Sequence, residues 1–113
     1  MNAGNLKIDR TRLLEGMYRD GYFPNAVVDK VRDVILEACR EIEDEKPATK
    51  EEVYVITCRA TEKINDLQDE FEENESEIET VARDDIATTL EYVAKTYGFP
   101  DADLEELVAT RDW

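Results

Sequence analysis

Histidine is absent from all 113 residues of the chain. Its absence removes Ser-His and Cys-His nucleophilic arrangements, histidine general bases and every histidine-containing zinc site at one stroke. Cysteine occurs only at positions 39 and 58. Both fall in helical patterns among apolar neighbours, which reads as two small buried thiols kept reduced, with a bridge between two helices as the alternative. No stretch approaches the ~18 consecutive apolar residues that would span a bilayer. The start, MNAGNLKIDRTR, lacks the apolar run of a secretory signal, so a cytoplasmic protein is expected. There is no glycine-rich phosphate loop and no nucleophile elbow, and no cofactor is expected.

Positive charge is also scarce. Fourteen Lys and Arg face 29 Asp and Glu, for a net charge of −15. Residues 1–36 are nearly balanced at +1, whereas residues 37–113 carry −16. Such a field repels nucleic acid and anionic membrane and attracts cationic proteins or metal ions. Direct binding to DNA, RNA or a membrane surface is therefore not expected. Apolar residues still make up 42% of the chain, enough for one core in a domain of this length.

What is present is helical periodicity, punctuated by glycine and proline. The spacing predicts an all-α single domain, a bundle of four to five mainly antiparallel helices near residues 9–20, 25–45, 49–74, 77–97 and 102–110. The first opens at Asp9 with Leu13, Leu14, Met17 and Tyr18 on one side and ends at Gly21 and Pro24. An apolar strip on this helix leaves a homodimer open. The second repeats Val27/Val28, Val31, Val34/Ile35, Ala38/Cys39 and Ile42, a 3.6-residue period that outweighs the modest helix propensity of valine. Thr49 with Glu52 forms a capping box for the third, whose stripe runs Val53, Ile56, Ala60, Ile64, Leu67, Phe71. Its VYVIT segment also has the composition of a strand. Ser76 with Glu79 is a second capping box for the fourth, with Ile78, Ala82, Ile86, Leu90, Val93 and Tyr97 in register. Gly98, Phe99 and Pro100 read as a Schellman-type stop, and Trp113 pins the last short helix to the bundle.

Four stretches, GMYRDGYFPNAVVDKV, ATEKINDLQDEFEENESEIETVARDDIA, YGF and the terminal RDW, together resemble a family of small acidic bacterial proteins of unknown function. The resemblance covers most of the chain with its pieces in order. It implies a bacterial, cytosolic, stand-alone helical domain and transfers no activity. Similar sequences carry glycine where Glu75 stands and histidine where Cys58 stands, so this chain departs from them at a helix stop and at one core-facing position.

The segment NDLQDEFEENESEIET, residues 65–80, has eight carboxylates and no basic residue. A solvated hinge between two helices is the plain explanation. Glu77 and Glu79, in the first turn of a helix, are welcomed by its dipole. Asp69, Glu70, Glu72 and Glu73, at the end of the helix before it, are not. The i,i+4 pairs Asp66–Glu70 and Asp69–Glu73 repel by about 0.2–0.5 kcal/mol each. Local rules broken together point to a site. One reading is a non-enzymatic acidic binding protein that engages or neutralises a basic protein partner, such as a toxin or a nucleic-acid-binding protein, in the manner of an immunity protein, an inhibitor or a DNA mimic. Its contacts would be Asp66, Asp69, Glu70, Glu72, Glu73, Glu75 and Glu77, accepting from arginine and lysine. The other is a Mg²⁺-dependent all-α nucleotide pyrophosphohydrolase, with Glu70, Glu73, Asp84 and Asp85 as ligands. That chemistry also needs cations near the phosphates, and the run offers none before Arg83. Tyr18, Tyr22 and Phe23 are either core edge or, if exposed, an apolar anchor beside the acidic field.

Overall fold

The computed structural model describes residues 8–113. Every regular element among them is helical: a 3₁₀ turn Arg10–Arg12, then α1 Glu15–Arg19, α2 Asn25–Glu45, α3 Lys50–Asp66, α4 Gln68–Glu73, α5 Thr80–Thr96 and α6 Leu104–Leu107. VYVIT lies inside α3, so period prevails over strand composition there.

The α2–α3 hairpin is the frame. Lys46, in a left-handed conformation (φ 49°), donates its N–H to the Ile42 carbonyl and closes α2. Thr49 then caps α3, its hydroxyl accepting the Glu52 N–H at 3.2 Å. The ion pairs prove the antiparallel course. Arg59 reaches Glu41 and Glu45 at 3.0 and 3.3 Å, and Lys63, one turn later on α3, pairs with Glu37, one turn earlier on α2. The same logic fixes α1 against α5. The backbone N–H groups of Asp9, Leu14 and Met17 are received in descending order by Tyr92, Thr89 and Asp85, at 3.3, 3.2 and 2.8 Å.

The predicted stripes line one core. Val27, Val28, Val31, Ile35, Cys39 and Ile42 of α2 meet Ile56, Ala60 and Ile64 of α3, Phe71 of α4, and Ala82, Ile86, Leu90 and Val93 of α5. Burying a side chain of this kind contributes about 1.5–3 kcal/mol relative to exposure. Leu13, Leu14 and Met17 are also fully buried, so these residues of the first strip pack inside the chain. The radius of gyration, 13.3 Å, is that of a compact domain of this length.

Four boundaries differ from the sequence expectation. The first helix is broken, because Leu14 adopts a left-handed backbone (φ 59°) that lets both it and Leu13 point inward. The third is interrupted at Leu67, whose N–H bonds to Ile64 rather than continuing the i→i−4 ladder. There the C-terminal tail docks: Asn65 donates to the Thr110 carbonyl and accepts from Asp112 N–H, and Gln68 donates to Asp112. The Ser76–Glu79 capping box does not form; α5 begins at Thr80 with Glu79 as its uncapped N-cap. The last helix is a single turn, started by Asp103, whose carboxylate accepts the Glu105 N–H at 2.9 Å. The Gly98 stop is formed as expected: Gly98 (φ 98°) and Phe99 donate to Lys95 and Ala94 at 3.1 and 2.9 Å.

Candidate functional site

The break at Leu67 makes the acidic run into a unit of its own: helix α4, the turn 74–79 and the start of α5. Phe71 anchors it. Its ring is buried and meets Phe23 edge-on at 6.4 Å, and Phe23 in turn meets Tyr22 edge-on at 5.1 Å. Phe23 is thus core edge, while Tyr22 stands 45% exposed at the outer end of this relay. Tyr18 is also core edge, partly buried and packed against the main core. Its hydroxyl donates to Asp29 at 2.5 Å, and burial, with that bond, pushes its pKa up to about 12.

With Phe71 turned inward, helical geometry of about 100° per residue sets Asp69, Glu72 and Glu73 within one arc of about 100° on the opposite side. All three are exposed, as are Asp66, Glu75 and Glu77. None of these six side chains makes an ion pair or hydrogen bond with the described residues. Glu70 differs: it is partly covered and paired with Lys30 of α2, which ties α4 to the frame. Arg83, the next cation along the chain, is exposed and also unpaired among the described residues.

The structure redistributes the electrostatics expected from sequence. Because α4 is a separate helix, Asp69 and Glu70 lie in its first turn, where the dipole favours them, and Glu72 and Glu73 alone sit at its C-terminal end. Conversely, Glu77 lies outside α5 and Glu79 is its N-cap, so neither occupies the first turn. The sharper local conflict is Glu75. Helix α4 ends in a Schellman motif in which Glu75 N–H bonds to Glu72 and Ser76 N–H to Phe71, at 3.0 and 2.8 Å. Glu75 holds the left-handed position of that motif, φ 60°, where glycine has no steric penalty and an L residue costs about 1–2 kcal/mol. The Ser76 N–H is taken by the α4 stop, and α5 begins only at Thr80, so Ser76 does not occupy its N-cap position. The Ser76 hydroxyl is buried without a hydrogen-bond partner among the described residues.

Glu70, Glu73, Asp84 and Asp85 are not gathered. Glu70 is held by Lys30, Glu73 and Asp84 are exposed, and Asp85 is turned to α1. Among the described residues no three His, Cys, Asp or Glu side chains are placed to hold a metal ion. Asp85 instead accepts the Met17 N–H and caps a helix that has no cap of its own. Burial raises its pKa, opposed by the Met17 bond and reinforced by Glu15. Both thiols are free. Cys39 is buried, which pushes its pKa up to about 12, whereas Cys58 is half-buried on α3, with its Sγ 3.6 Å from the Glu106 carbonyl. No described helix is long and apolar enough to cross a membrane.

Sequence reasoning found the acidic segment but not the left-handed residue within it. The one signal for it was the glycine that the resemblance implies at that position. A family of unknown function, DUF5713, matches residues 7–113, and the chain belongs to it. No curated protein and no solved structure matches the chain.

Proposed function

We propose that this family member is a cytoplasmic binding protein that engages a basic protein partner through Asp66, Asp69, Glu70, Glu72, Glu73, Glu75 and Glu77. The observation that carries the reading is the state of those groups: six of the seven are exposed carboxylates that pair with no cation among the described residues. Like charges so crowded repel one another, and a counter-charge from outside relieves that repulsion. Arginine suits the arc of Asp69, Glu72 and Glu73 best, since its planar fork pairs with carboxylates through two parallel hydrogen bonds.

Support also comes from how rigidly the surface is held. Phe71 in the core, the Lys30–Glu70 pair and the Schellman turn fix α4 before any partner arrives, which limits the ordering cost of binding. Exposed Tyr22 adds an apolar contact at the end of the Phe71–Phe23 relay, the kind of residue that carries interface energy. The net charge of −15 would speed encounter with a cationic surface. A protein of this kind covers the basic site of a toxin or of a nucleic-acid-binding protein. The test is capture of partners from a cell extract at low and high salt, by the native chain and by E70Q/E72Q/E73Q. A basic protein retained only at low salt and lost with the triple substitution supports the reading; retention by the substituted chain refutes this face.

A further inference from the structure

We draw no further inference here: the strongest candidate, the exposed Tyr22 side chain at the outer end of the Phe71–Phe23 contacts, belongs to the surface already described, and nothing in the structure shows what else would cover it.

Discussion

Replacing Glu75 by glycine should make the protein more stable and a poorer binder. Glu75 is an exposed side chain without a partner among the described residues, at φ 60°. Relief of the left-handed strain is worth about 1–2 kcal/mol. Glycine's extra freedom in the unfolded chain takes back about 0.5–1 kcal/mol. Removing a negative charge beside the C-terminus of α4 adds about 0.3 kcal/mol. The net gain is about 1 kcal/mol, equivalent to roughly 4 °C in Tm for a domain of this size. E75A is the control, because alanine removes the carboxylate yet keeps the Cβ that makes the conformation costly. Urea unfolding with the slope checked for constancy is the assay. E75G should exceed E75A by about 0.5 kcal/mol or more, while both lose affinity for a basic partner. If E75G is no more stable than E75A, Glu75 is not held in the left-handed position and the strain argument fails.

Three further outcomes follow from the same geometry. At Asp85, raised folded pKa means that ionisation opposes folding, so the group's contribution improves as pH falls through that pKa. D85N keeps an acceptor for Met17 N–H without the buried charge and should match or exceed the native stability at pH 7, an advantage that shrinks on acidification. D85A orphans that N–H and should cost about 1–2 kcal/mol by thermal unfolding; equal losses for the two variants would deny the capping role. Raising NaCl from 0.1 to 1 M shortens the screening length from about 10 to about 3 Å and should raise Tm, since repulsion within a chain of net charge −15 is what salt relieves; a falling Tm would mean that ion pairs outweigh repulsion. Calorimetric titration with Mg²⁺ or Mn²⁺ should give no stoichiometric binding of micromolar strength, because Glu70, Glu73, Asp84 and Asp85 do not converge; such binding would revive the hydrolase reading.

How much of this was legible in the sequence depends on the range of the interaction involved. Stripes such as Val27 to Ile42 and the Thr49 cap are set by neighbours three and four residues away, and both appear where the pattern puts them. The Gly98 stop is equally local. The breaks are not. Leu67 interrupts α3 beside Asn65 and Gln68, which bind a tail more than 40 residues further on. Leu14 turns left-handed where its N–H meets Thr89. Ser76 matched a capping box in spacing, but it closes the Schellman turn of the helix before it, and α5 starts four residues later, at Thr80. The site shows the same division: the carboxylates were plain in the sequence, whereas the pairing of Glu70 with Lys30 and the withdrawal of Asp85 depend on other helices packing nearby.

The most direct measurement is the affinity of a captured basic partner for two variants that lose the same charge from different places. D69N/E72Q/E73Q strips the outer arc of α4, and D44N/E51Q/E62Q strips three exposed carboxylates of α2 and α3 that are unpaired among the described residues. The account predicts at least a tenfold weakening, about 1.4 kcal/mol, for the first and a change of less than about twofold for the second. Equal losses would mean that net charge alone attracts the partner, and that the acidic face of α4 has no special part in holding it.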